Sequence, residues 1–557
     1  MSGGLGSRLS VAVGLGLLLN PAAAQTTIGP SPPTVTTTVT VTSGTTTVVG
    51  STDITPAQKV RAAVVSGGTL VLDAQAGPAP GPVRIRTDGA NALVASGTGT
   101  IQGNAITVNT TNIPAGSPGG PANGSNVSVT TGGTVSLDNS TLTSSGNSIS
   151  AASGTVNLRG VSITSTTPGT SQAISATGAT GRVVADGISL TASGHGLYAA
   201  TGATIVFRNS TLAAPGARAG YVLTGATFEI YSSTITGGSS GLTAQPGGTI
   251  WIDVNPGDGL PAGSTTNVSA AGTVLLINQA SATANAGRIT ASRTNVTSQA
   301  NSAAGVWAQG GTATLTDSTI STQGANAYGT RAGTLLTRAG QGPATVTLQG
   351  TGSAPATIDT AGEGAFAIWA WGDVNRPVVT ADNVAISTTG ANAYGAAAGN
   401  IDTGGPRFGQ VTVTGGSLTT AGDFSAGVLS WGTGSEATAT SVPNQDGRKR
   451  RTWCACSGWG RSDRDRWVHC NHWRTSAWRG EQWCWKSAHA EQPVHHDVRC
   501  RRKWHRRVGR CDGRCLERDG LRTRRRRVGT ILERHHRRYQ RGERRRRKSP
   551  KCESDRQ

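Results

Sequence analysis

Residues Gly133–Gly146 read GTVSLDNSTLTSSG. Val135 and Leu137 alternate with polar neighbours, the period of a strand with one buried face. Asp138 and Asn139 then mark a corner, and Ser140-Thr141-Leu142 opens a second strand. The phrase returns. GTVNLR runs into GVSITSTT around Ile163, and GISLTASG follows around Leu190. ATIVFR then runs into NSTLAAPG around Leu212, and ATFEIY into SSTITGGS around Ile235. A period near 22 residues is the signature of a solenoid.

Each phrase supplies a pair of aliphatic or aromatic residues pointing one way: Val135/Leu137, Val156/Leu158, Ile205/Phe207, Phe228/Ile230 and Ile250/Ile252. Coils of such strands stack about 4.8 Å apart into parallel sheets around an aliphatic interior. Thr and Val suit the strands because their β-branched side chains pack well on a pleated surface. A longer repeat lies further on, where ISTQGANAYGTRAG (Ile320 to Gly333) returns about three rungs later as ISTTGANAYGAAAG (Ile386 to Gly399). The prediction is an all-β chain, a right-handed parallel β-helix over residues 53–445 with nearly twenty rungs. A loosely ordered Pro/Thr-rich leader, 25–52, should precede it.

Two flanking segments are written differently. Residues 1–24 hold one basic residue (Arg8), an apolar run from Leu9 to Leu19 and the small residues Ala22-Ala23-Ala24. That pattern predicts a signal peptide cleaved after Ala24, too short in its apolar part for a transmembrane helix. At the other end lies nearly all of the chain's formal net charge of +21. All 8 Cys, and every His except His195, also fall after Asp446. The basic character therefore belongs to residues 446–557 and says nothing about the repeats.

An exported, cysteine-free, Gly/Ser/Thr-rich chain with GGT-x-x-(apolar)-x-D/N-S-T-(apolar) rungs resembles the passenger of a pertactin-like autotransporter. The resemblance covers residues 25–445. It implies an adhesin or surface interaction protein, placed at the outer membrane and cell surface in an intact parent. In that family a transmembrane β-barrel follows the passenger. The ending KSPKCESDRQ lacks the alternating strands and aromatic girdles of a barrel, so the expectation is a passenger truncated before its barrel, left in the periplasm or secreted.

The last segment contains HCNHW (His469 to Trp473), QWCWK and RRKWHRR. Its Cys spacing gives a CxC and a CxxxC but no paired CxxC knuckles, so no designed zinc site is expected. Runs such as Arg524–Arg527 would bind polyanions non-specifically. The codons offer a different account. Trp has the single codon TGG, and reading one base onward gives GGN, glycine. Cys becomes Ala or Val, and His and Asn become Thr or Ile, which is the alphabet of the repeats. Residues 446–557 thus read as a frameshifted continuation of the solenoid gene, a disordered tail of coil and unconnected short helices with no core of its own.

Chemistry in the repeats is sparse. Acidic residues sit singly at corners, as Asp138, Asp186 and Asp317 do. DVNPGDG (Asp253 to Gly259) departs from the calcium-loop pattern at Pro256, and His195 falls in an SGHG turn. No catalytic, cofactor or metal site is expected, and nothing points to a homo-oligomer. The alternative, a β-helix lyase or hydrolase, would need carboxylates converging in one groove. The candidate ligand contacts are aromatic: Trp369 and Trp371 in AIWAWG, with Trp307 and Trp431 at similar places in neighbouring repeats. As an exposed ladder they would stack on a host-surface glycan or dock a host-surface protein; alternatively they cap wide rungs.

Overall fold

The computed structural model describes residues 25–29, 34–76, 80–111, 124–254, 265–278, 286–333, 343–352, 356–372, 375–399, 408–432 and 434–442, with the backbone of 452–457. The predicted signal peptide and HCNHW lie outside the described residues.

The described chain is a right-handed parallel β-helix built of three sheets with 16, 15 and 16 strands. Within each sheet every third strand in sequence is a hydrogen-bonded neighbour. The founding phrase contributes Thr134–Asp138 to the first sheet and Thr141–Ser144 to the second. Ile149–Ala152 belongs to the third. Stacking keeps the repeats in register, Val135 beside Val156 and Leu137 beside Leu158. All five predicted inward pairs are buried in one continuous aliphatic core. Fewer strands stack than the nearly twenty rungs expected, because the sequence step between stacked strands often exceeds about 22 residues, as from Thr100 to its partner Thr134.

The corner between the first and second sheets shows why the phrase reads D-N-S-T. One residue there takes a left-handed backbone: Asn139 (φ 47°), Asn209 (φ 51°), Asp317 (φ 47°) and Asn383 (φ 52°), with Gly160 and Gly187 at the same place in other rungs. Asn, Asp and Gly tolerate this conformation most readily, and Ala105, Ser232 and Arg293 also adopt it at this corner. The serine that follows is buried and works twice. Ser210 Oγ–H donates to the Arg208 carbonyl at 2.5 Å and accepts the Ile188 amide of the preceding rung at 3.0 Å. Ser233 repeats this with the Tyr231 carbonyl (2.6 Å) and the Ser210 amide (3.2 Å). A tight corner leaves backbone groups unpaired away from water, and the hydroxyl satisfies one donor and one acceptor at once.

Two expectations need correction. The Pro/Thr-rich stretch 25–52 is not a loose leader. Gln25–Ile28 pairs in parallel with Thr45–Val49, which pairs with Thr69–Asp73. Its alternating Thr and Val residues make strands, and its prolines fall in sequence between them. At the other end, Thr452–Ser457 is not coil but a strand paired with Ala426–Trp431, so the third sheet runs past Asp446.

Candidate interaction surface

In a parallel solenoid the outer face of a sheet is ordinarily polar, and here Thr and Ser cover most of it. The third sheet is different between Ala304 and Trp431. Successive strands Ala304–Ala308, Tyr328–Ala332, Phe366–Ala370, Tyr394–Ala398 and Ala426–Trp431 stack in register. In each, the third and fifth residues are buried, and most of them, such as Val306 and Ala308 or Ile368 and Ala370, join the core, while Thr330 and Ser430 are buried hydroxyls. The first and fourth point outward, making two vertical columns. One column runs Tyr328, Phe366, Tyr394, and the other Trp307, Arg331, Trp369.

These outward residues form a second apolar cluster, separate from the interior core. Tyr328 and Phe366 stack with centroids 5.8 Å apart, and Phe366 and Tyr394 at 4.9 Å. Trp369 lies 5.0 Å from Phe366 and 4.9 Å from Trp371. Tyr394 meets Trp431 edge-on at 5.4 Å. The guanidinium of Arg331 sits among the rings, 4.3 Å from Trp307, 4.9 Å from Tyr328 and 5.1 Å from Trp369. Only 6% of Arg331 is exposed, and burial brings its pKa down to about 10.

Indole hydrogen bonds fix the ring directions. Trp307 Nε1–H donates to the Gly333 carbonyl and Trp369 Nε1–H to the Gly399 carbonyl, each at 2.9 Å. Glycine is required at both acceptors: a Cβ at Gly333 would collide with the Trp371 carbonyl oxygen, and one at Gly399 with that of Trp431. The G in the repeated "AYGTRAG" and "AYGAAAG" is thus the tryptophan's partner in the neighbouring rung.

The four predicted tryptophans therefore come together on one face, with different roles. Trp369 and Trp371 are buried. Trp307 and Trp431 are half-buried and present ring area to solvent, as do Tyr328 and Tyr394. Reading the sequence for tryptophan alone overlooked Tyr328, Arg331, Phe366 and Tyr394. Their signal was register: "ANAYG" occupies the strand position that "GAFAIWAWG" occupies one repeat away. A further aromatic, Phe424, is 72% exposed at a left-handed position (φ 56°). It lies two residues before Ala426, the register partner of Tyr394.

Lower on the same sheet is a smaller group. Tyr198 and Tyr221 meet at 4.9 Å, His195 and Tyr221 at 5.2 Å, and Arg218 lies 5.8 Å from the Tyr221 centroid. His195 begins the strand His195–Ala199 rather than lying in a turn. Its Nδ1 accepts the Arg218 amide at 3.4 Å. Burial, and secondarily the Arg218 charge, lower its pKa.

The carboxylates are elsewhere, most of them at strand ends and corners, with Glu229 and Asp359 inside strands of the other two sheets. Asp186 pairs with Arg208 at 3.2 Å and accepts from Asn209 at 2.9 Å. Asp317 accepts the Thr351 amide and hydroxyl, both at 2.7 Å. Among the described residues no three His, Cys, Asp or Glu side chains come together as a metal-holding group.

Three stacked parallel sheets with a continuous aliphatic lumen define a right-handed parallel β-helix. Among solved structures the chain is similar to the A-module of mannuronan C-5 epimerase AlgE6 from Azotobacter vinelandii, with a TM-score of 0.36 and 13% identity over 69% of this chain and 92% of that one. No protein-family profile matches the chain, and no curated protein does.

Proposed function

We propose that this chain is a non-enzymatic interaction passenger of the pertactin-like autotransporter type, whose contact surface is the aromatic outer face of the third sheet. One observation supports this above all. A solenoid buries its apolar residues in its lumen, yet here a second apolar cluster with half-exposed rings stands on the outside. Large apolar groups at a surface mark interaction sites, and aromatic side chains contribute most to such contacts. The spread of the described carboxylates over two sheets and their corners favours binding over hydrolysis or elimination, which need acids converging on one bond. The sequence of residues 1–24 supports export. In that reading the solenoid is displayed at the cell surface.

The test uses the purified chain on a glycan array and on host-type epithelial cells, beside Trp307→Ala and Trp431→Ala. Loss of binding in both variants with unchanged melting supports the proposal. Undiminished binding overturns the assignment of the surface. Shortening of a polysaccharide by the wild-type chain would replace the whole reading with the enzymatic one.

A further inference from the structure

Charge is segregated among the three sheets. Strands of the first sheet carry Asp73, Asp138, Asp186, Glu229, Asp382 and Glu436, and those of the second carry Asp53, Asp88 and Asp359. No strand of the third sheet carries an Asp or Glu. Its ionisable basic groups are His195, Arg218 and Arg331, and all three lie in the two aromatic groups described above. Elsewhere on the helix Arg208 and Arg376 have carboxylate partners, while Arg159, Arg182 and Arg288 among others form no ion pair among the described residues. Among the described residues neither Arg218 nor Arg331 forms an ion pair, and the buried Nε of Arg331 has no hydrogen-bond partner.

A guanidinium taken out of water normally has an anion beside it. Here aromatic rings surround the Arg331 guanidinium instead, in cation–π contact, and its unpartnered Nε–H remains a donor for a further acceptor. Guanidinium forks match a carboxylate bidentately, and an aromatic face is complementary to the apolar C–H face of a sugar ring. An acid-free sheet adds no repulsion against an anion. Four strand-to-strand spacings separate Arg218 from Arg331, about 19 Å along the axis at about 4.8 Å each. That distance fits an extended polymer better than a single small ligand.

We infer that the outer face of the third sheet binds an acidic polysaccharide laid along the solenoid axis. Half-exposed Trp307, Tyr328 and Tyr394 stack its sugar rings, while Arg331 and Arg218 receive its carboxylates. The inference rests on the contact-surface reading above and adds the chemical class of ligand. A nucleic acid is the weaker match because strong phosphate-backbone binding uses many cationic contacts, and this face offers two guanidiniums.

The experiment measures binding of the full chain to polygalacturonate, to neutral dextran of equal length and to single-stranded DNA. Wild type is compared with Arg331→Gln, Arg331→Lys, Arg218→Gln and Trp307→Ala. The basic segment 446–557 binds any polyanion but is common to all variants, so the readout is the difference between them. Arg331 is packed among rings, and Arg218→Gln, at a more open site, keeps the test valid if Arg331→Gln fails to fold. The expected result is a roughly tenfold loss of polygalacturonate affinity in each Gln variant, a smaller loss in Arg331→Lys and unchanged dextran affinity. Polygalacturonate affinity unmoved in both Gln variants overturns the inference, and if Trp307→Ala still weakens binding, the contact surface itself stands. Equal losses for DNA and polygalacturonate in the Arg variants overturn the polysaccharide assignment in favour of a general polyanion site. Full binding of every probe by Trp307→Ala defeats the contact surface as well.

Discussion

The guanidinium of Arg331 lies 4.3 Å from the ring centroid of Trp307, its register partner on the neighbouring strand. A planar cation among rings exchanges its hydration for ring faces, an arrangement worth about 2 kcal/mol when desolvated. Arg331→Lys keeps a charge but replaces a delocalised plane with a compact, strongly hydrated ammonium. The expected cost is about 1 kcal/mol for Arg331→Lys and more for Arg331→Ala, read from denaturant midpoints. A Lys variant as stable as wild type would show that the stacking contributes nothing.

The corner serines make a sharper prediction. Ser210→Ala strands the Ile188 amide and removes a donor from the Arg208 carbonyl, at a cost of about 1–3 kcal/mol. Exposed Thr211, one residue on, should change stability by less than about 0.5 kcal/mol when made Ala. Each rung of a solenoid interacts with its neighbours alone. Amide exchange should therefore quicken at Ile188 and Ser210 and remain slow near Ile386.

The repeat phrase made the strands, the inward pairs and the corner legible because each has a local physical cause: period-two burial, and a left-handed turn that Asn, Asp or Gly tolerates. The four tryptophans were legible as a group for the same reason. Arg331 was not, because isolated arginine in a Gly/Ala-rich strand gives no local signal; only stacking register places it against Trp307 and Trp369. The 25–52 stretch misled because Pro and Thr together resemble a linker, while its Thr/Val alternation alone decides its structure. Rung number was overestimated because loop length between strands leaves the strand pattern unchanged.

Phe424 occupies the left-handed corner that Asn326 and Asn392 occupy in other rungs. An L-residue without a local polar partner loses about 1–2 kcal/mol there, and the exposed ring recovers little by burial. Phe424→Asn should stabilise the chain by about 1 kcal/mol, measured by thermal or chemical melting. A loss of stability instead would mean that the ring packs more than its exposure indicates.

His195 sets a pH dependence. Its folded pKa is lowered from the ordinary value of about 6.5, by burial first and the Arg218 charge second. The unfolded chain therefore takes up the proton more readily than the folded one, and stability rises with pH across this window. The contribution is fully present above about pH 6.5 and is lost as pH falls through the folded pKa. Aromatic Tyr221 and cationic Arg218 face the imidazole. His195→Gln should flatten the stability difference between about pH 7.5 and pH 5 relative to wild type. An unchanged slope would assign acid sensitivity to other groups.

The last prediction concerns residues beyond Asp446. Strand Thr452–Ser457 continues the third sheet in register with Ala426–Trp431, while the second sheet's final described strand is Ser417–Thr420. A frame change near this point would interrupt the stack after its third-sheet strand, since alternation over six residues arises readily by chance but a full rung does not. The coding sequence, read one base onward from near Asp446, should yield further S-T-(Ile/Leu) phrases at about 22-residue intervals, followed by alternating barrel strands with aromatic girdles. Trp codons must become Gly in that frame whatever the codon usage, so Trp459, Trp473 and Trp483 should fall at turns of the recovered rungs. A stop codon within a few rungs' length would defeat the frame reading and leave the basic segment to be explained as evolved protein.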